Sequence, residues 1–163
     1  MIIRPITPED VPAYRAVVDS VAKEKRYILR VEAPPLKAMQ EFVAKNIQKG
    51  YPHYVAIVEG AVVGWADVAP PHDLAAHVGS LGMGVHKDHR GRGLGSSLLK
   101  NVVRDAWAHG FTRLDLEVYA DNIPAIKLYE KYGYTLEGRK KYARYIGERY
   151  QDILIMAQYR VEN

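Results

Sequence analysis

The chain has no cysteine. That excludes disulfides, thiolate metal sites and a thiol nucleophile. No apolar run approaches the ~20 residues needed to span a bilayer, so no membrane partner is expected. There is no internal repeat, low-complexity tract or Gly/Ser linker. With 163 residues, the expectation is one domain, 1–163, around one core. Met1 to Ile6 is too short and wrongly flanked for a signal peptide, which makes a cytoplasmic protein the default.

The formal net charge is +4. A soluble surface with spare cations accounts for it, and so does an anionic partner. The distribution is more telling. Lys87, Arg90 and Arg92 crowd one short segment, and Arg139, Lys140, Lys141 and Arg144 another.

Met1–Ile6 reads as a strand. Thr7 then caps a helix with Pro8 in its first turn, running to about Glu24. Leu36, Met39, Phe42, Val43 and Ile47 have helical spacing up to Gly50. Tyr54–Val58 and Val62–Val68 flank Glu59-Gly60 as a hairpin. Val78–His86 is a strand carrying Gly82 and Gly84, which mark a bulge or a close approach to the backbone. Leu94 to Trp107 carries a helical apolar stripe closed by Gly110. Arg113–Tyr119 alternates as a strand, with Leu114, Leu116 and Val118 on one face and Asp115 and Glu117 on the other. Asn122 caps a helix ended by Gly133, and two last strands turn near Gly147. Alternating strands and helices predict an α/β fold, a mixed sheet with helices on both faces.

The segment from Val85 to Ser96 is a strand, a basic glycine-rich loop and a helix N-terminus. Gly91, Gly93 and Gly95 let the backbone turn tightly with its N–H groups bare, and the helix start adds partial positive charge. Such a site suits a pyrophosphate. A flexible helix start with a solvated charge cluster is the plainer alternative. No Gly-Lys-Ser/Thr follows, so it is not a Walker loop, and the glycine spacing does not fit a dinucleotide fingerprint.

Arg90 and Arg92 with Gly93 and Gly95 resemble the Arg/Gln-x-x-Gly-x-Gly/Ala loop of the GNAT N-acetyltransferase superfamily. Leu81-Gly82-Met83-Gly84-Val85 resembles its splayed, bulged strand, and Leu116 to Tyr134 its second block: strand, Asn-x-x-Ala-x-x-Leu-Tyr helix, Gly-Phe/Tyr. The resemblance implies a single-domain, mostly antiparallel twisted sheet with a splayed central strand pair. It also implies acetyl-CoA as cosubstrate. Met83, Gly84 and Val85 would meet the pantetheine arm, with Val85 N–H as oxyanion donor. Arg90, Gly91, Arg92, Gly93, Leu94, Gly95 and Ser96 would hold the pyrophosphate. Asn122 would be helix cap and cofactor contact. Tyr129 would be cofactor contact and general acid, a phenol of reference pKa about 10 beside a departing thiolate. Glu117 is the candidate base, with an ion-paired strand carboxylate as the alternative and Asp115 as a second choice. Direct attack in a ternary complex is implied, since no cysteine can carry an acyl group.

The segment Glu137–Asp152 resembles the tail of bacterial small-molecule and amino-acid N-acetyltransferases, where a basic residue could hold a substrate carboxylate. Leu116-Glu117-Val118 also fits acetyltransferases of protein N-termini, and a non-catalytic acyl-CoA-binding module is a third reading. His86 and His89 lack a third ligand, so no metal is expected. Tyr142, Tyr145 and Tyr150 interleave with Arg and Lys and read as a half-buried strand with polar tips, not as a nucleic-acid surface. A homodimer is common among relatives, but the sequence shows no interface for one.

Overall fold

The computed structural model describes residues 1–160. Thr7 caps a single 3-10 turn, Pro8–Asp10, before the α-helix proper. The cause is Pro12: it has no N–H to donate to the carbonyl of Pro8, so the α-helical ladder cannot start there. Helix α1 therefore runs Val11–Lys23. The other elements are β1 (Ile2–Pro5), α2 (Leu36–Lys49), β2 (His53–Val58), β3 (Ala61–Ala69), β4 (Val78–Val85), α3 (Leu94–His109), β5 (Arg113–Tyr119), α4 (Ile123–Lys131), β6 (Thr135–Ile146) and β7 (Arg149–Tyr159). Glu59 and Gly60 both take positive φ, the geometry a two-residue hairpin needs to match strand twist.

The seven strands form one sheet in the order β1-β2-β3-β4-β5-β7-β6. Neighbours are antiparallel except β4 and β5, which run parallel. Helices cover both faces. Leu98, Leu99 and Val102 of α3 pack with Leu114, Leu116 and Val118 of β5 and Tyr129 of α4. Val17, Val18 and Val21 of α1 and Val43 of α2 pack with Val55 and Trp65 on the other face. Leu98, Leu99 and Val102 are fully excluded from water, each worth roughly 1.5–3 kcal/mol of burial.

The central strands part. Only Val78–Arg113, Gly79–Leu114 and Ser80–Asp115 pair, and beyond them β4 and β5 separate. The expected splay is present, but the expected bulge in β4 is not: its register with β3 runs unbroken from Ser80 to Val85. Gly82 and Gly84 answer to side chains on β3 instead. A Cβ at Gly82 would lie 3.3 Å from the Asp67 carboxylate, and one at Gly84 would run into the Trp65 ring.

Candidate active site

Strand alternation decides what faces the gap. His86 N–H donates to Val63 C=O on β3. The alternate residues Leu81, Met83 and Val85 must then turn their backbone groups away from β3, into the gap. On the other side, Ala120 N–H donates to Asp152 C=O next to β7, so Glu117 and Tyr119 also present backbone groups to the gap. The result is a wedge about 13 Å deep for the four steps from Leu81 to Val85, lined by backbone groups without a strand partner; of these, Val85 C=O accepts from Arg90 and Tyr119 C=O from Asn122 N–H.

An anion cradle stands at its mouth. Beyond Val85, a 3-10 turn leads through Gly91 (φ +74°) and Gly93 (φ +80°) into α3. A Cβ at either glycine would meet nothing within 4 Å. Glycine is needed there for left-handed backbone, not for space. Leu94, Gly95 and Ser96 supply the free N–H groups of the helix start. Ser96 Oγ is hydrogen-bonded to Tyr132 Oη at 2.6 Å, which ties this turn to the end of α4.

The two arginines of the loop differ. Arg92 is exposed and forms no ion pair among the described residues. The Arg90 guanidinium is engaged: it grips Glu24 at 2.6 and 2.9 Å, donates to Val85 C=O at 2.8 Å and lies 4.2 Å over the Tyr27 ring. The Glu24 contact raises its pKa. Arg92 is thus the free cation at the cradle, and Arg90 braces it.

On the α3 face of the wedge, Leu128 of α4, Met83 of β4 and the first turn of α3 converge around Gly95. Tyr129 follows on α4. It is buried, and burial pushes its phenol up to about 12. Its hydroxyl has no hydrogen-bond partner among the described residues. Asn122 Oδ1 accepts from Ala125 N–H at 3.4 Å and caps α4, as its position in the sequence predicts.

Glu117 lies on the α1 face of β5. Its carboxylate is held by Lys140 Nζ at 2.5 Å. Lys140 belongs to β6, two strands further out, so this carboxylate leans away from the gap. Asp115, the second choice, accepts from Ser80 Oγ at 2.6 Å at the last paired rung. His86 and His89 stack with centroids 6.1 Å apart, and no group of three residues able to hold a metal occurs among the described residues.

A cavity of about 400 Å³ adjoins the open end of the gap on the α1 side. Lys25, Arg26 and Arg149 line it beside Glu24, Tyr119 and Asp121. Of the cations in the last hairpin, Arg139 is taken by Asp152 and Lys140 by Glu117. The hairpin tyrosines are not half-buried as expected. Tyr142, Tyr145 and Tyr150 are exposed and stack together at 4.8 and 5.0 Å. With β6 at the sheet edge, no helix covers them.

Two features escaped the sequence reading. Glu24 pairs across 66 positions, which no local pattern reveals. Asp67 is a buried carboxylate in β3; its only signal was one acid inside the apolar run Val62–Val68.

The site is thus a parallel strand pair zipped for three rungs and then left open, with a glycine turn and a helix N-terminus at its mouth. Residues 16–134 match the family model described as "Acetyltransferase (GNAT) family". The chain is 34% identical over 151 residues to an L-amino acid N-acetyltransferase of Escherichia coli, covering 89% of this chain and 91% of that protein. The chain belongs to the GNAT acetyltransferase family. Its fold superposes on a ribosomal-protein-alanine N-acetyltransferase from Brucella melitensis with a TM-score of 0.89, at 26% identity and over 98% and 100% of the two chains. It superposes on a phosphinothricin acetyltransferase from Sinorhizobium meliloti, solved in complex with acetyl-CoA, with a TM-score of 0.90, at 21% identity and over 97% and 87%.

Proposed function

We propose that the protein transfers the acetyl group of acetyl-CoA to the primary amine of a small molecule such as an amino acid, by direct attack in a ternary complex. The half-open β4–β5 pair carries the reading. A pyrophosphate fits the N–H groups of Gly91 to Ser96 with Arg92 beside them. Arg90 holds the loop in place. An extended amide-bearing arm fits the wedge, where Val85 N–H meets one of its carbonyls. Val85 N–H, the oxyanion donor implied by the resemblance, stands at the cradle end of the wedge, so Met83 N–H, the open donor next to the row of Gly82, is the candidate in its place. Tyr129 keeps its proton at working pH, and its unpartnered hydroxyl is available to the sulfur as the C–S bond breaks. Asn122 fixes the start of α4 and hence the tyrosine. Glu117 borders the gap as the sequence-based candidate for taking the amine's proton, though its carboxylate leans towards Lys140.

The acceptor fits the cationic cavity on the α1 side. Lys25, Arg26 or Arg149 would meet the carboxylate of an amino acid. The amino-acid specificity in the name of the Escherichia coli relative supports this class. The likeness to the ribosomal-protein-alanine enzyme favours a second reading, a protein N-terminus as acceptor.

Thiol release from acetyl-CoA, with free amino acids, polyamines and short peptides as acceptors, tests both. Turnover on free amino acids is expected, and turnover on peptides alone would replace the first reading with the second. Acetyl-CoA binding with no turnover on any amine would leave a binding module.

A further inference from the structure

Asp67 has no role in the site as described so far. Its side chain is 8% exposed. Neither carboxylate oxygen has a hydrogen-bond partner among the described residues. That is a costly state for a buried acid, which normally collects N–H or hydroxyl donors. The neighbouring structure keeps its carboxylate free. Its partner on β4 is Gly82, which has no side chain. A Cβ there would lie 3.3 and 3.6 Å from the two oxygens, so the carboxylate extends over β4 towards the gap.

Its position along the gap matters as much. Ser80–Asp115 is the last paired rung, and Gly82 begins the first open row. Asp67, Gly82 and Glu117 lie in that row on the α1 face. An arm anchored at the cradle beyond Val85 and running down the wedge brings its reactive end to this throat. Helices α3 and α4 cover the opposite face, and the cavity lined by Lys25, Arg26 and Tyr119 opens beside the gap on the α1 face, so an acceptor amine approaches from there. Asp67 leans into that approach, whereas Glu117 leans out of it towards β6.

We infer that Asp67 is the general base that takes the proton from the acceptor ammonium. The inference rests on the acetyltransferase reading above. The ammonium gives one proton to an Asp67 oxygen, which later passes it to water. The neutral amine forms the C–N bond at the thioester carbonyl. As the C–S bond breaks, the second proton leaves nitrogen and ends on the coenzyme A sulfur, with Tyr129 donating to that sulfur. One amide, one thiol and one released proton balance the reaction.

The surroundings suit the task. Tyr14 faces Asp67 from α1, Arg30 from the segment after α1 and His53 from β2, while β4 presents only glycine. Burial pushes His53 down to about 3, so it stays neutral, and pushes the Tyr14 phenol up, so it stays protonated. Arg30 is thus the one charge facing it among the described residues, and it opposes the upward push of burial, which leaves Asp67 at about 7. A base poised there is about half ionised at neutral pH and still accepts a proton readily.

The test compares wild type, Asp67→Asn and Glu117→Gln across pH 5.5 to 10, with acetyl-CoA affinity measured separately by calorimetry. Asn is isosteric and neutral, and thermal melting checks its fold. Expected for Asp67→Asn is a loss of at least about 100-fold in kcat/KM at pH 7, with acetyl-CoA affinity unchanged. The acid limb near pH 7 should move up towards the pKa of the acceptor amine. In parallel, the ¹³C signal of the Asp67 carboxylate in the free protein should titrate near neutrality. Near-wild-type activity of Asp67→Asn with an unmoved limb, or a limb that moves only in Glu117→Gln, would overturn the assignment and leave the acetyltransferase reading intact. A wild-type protein that acetylates no amine would overturn both.

Discussion

Replacing Asp67 by asparagine should stabilise the protein, and more so at higher pH. The native carboxyl is raised from 3.8 to about 7 by burial. A group whose folded pKa lies above its unfolded value costs nothing below the unfolded pKa. The fold then loses stability as pH rises, until the native group has ionised. Three units at ~1.4 kcal/mol each make the full cost about 4 kcal/mol above pH 7. At pH 5 only the first unit or so has accrued, about 1–2 kcal/mol. Asparagine carries no charge at any pH and escapes the slope. The melting temperature of Asp67→Asn should therefore gain on wild type between pH 5 and pH 8 by the equivalent of about 2–3 kcal/mol, or ~5–10 °C for a domain of this size. Differential scanning calorimetry at half-unit pH intervals reads this directly. Parallel pH curves for the two proteins would refute the reasoning, because they would mean that the carboxyl ionises as easily in the fold as in the unfolded chain.

Tyr129→Phe should lower kcat by roughly 10- to 100-fold with acetyl-CoA affinity within about twofold, seen by steady-state kinetics beside calorimetry. Arg92→Ala should weaken acetyl-CoA binding by about tenfold and flatten its salt dependence, because it removes the free cation at the cradle without breaking an internal contact. Arg90→Ala should lower both acetyl-CoA affinity and the melting temperature, since Glu24 and Val85 C=O lose their partner together. Gly84→Ala should cost about 1–3 kcal/mol in denaturant unfolding by driving a methyl into the Trp65 ring.

Much of this was legible from one dimension, for local reasons. Asn122 three residues before Ala125, Gly147 between two strands, and Gly91 and Gly93 before an apolar helical stripe are signals complete within a few positions. The structure keeps them, as it keeps the limits of β5. The splay was legible only through resemblance, because nothing in the composition of β4 or β5 says that pairing stops after Ser80. Gly82 and Gly84 were read as marks of a bulge or of a close approach to the backbone; it is the close approach that the structure has, and its source is on another strand, in Asp67 and Trp65. The same limit hid the roles of Arg90 and Glu117. Each has the right residue type at the right place, and each side chain is diverted by a partner far along the chain, Glu24 and Lys140. Tyr142, Tyr145 and Tyr150 misled for the converse reason: strand alternation predicts a buried face, but an edge strand without a helix above it has none to offer.

Unpaired strand backbone is normally a hazard, because an exposed edge recruits other chains. Between β4 and β5 the vacant edge is interior. It is flanked by strands that are themselves fully paired on their outer sides, and it narrows to a closed rung at Ser80–Asp115. A polypeptide strand needs ~4.8 Å on each side along its whole length and cannot enter a wedge that closes. A slender chain that carries only an occasional amide can. The taper thus works as a filter on what may complete the sheet: it rejects protein and admits the thin arm of a small molecule. The protein can then keep its most reactive backbone open to solvent without aggregating.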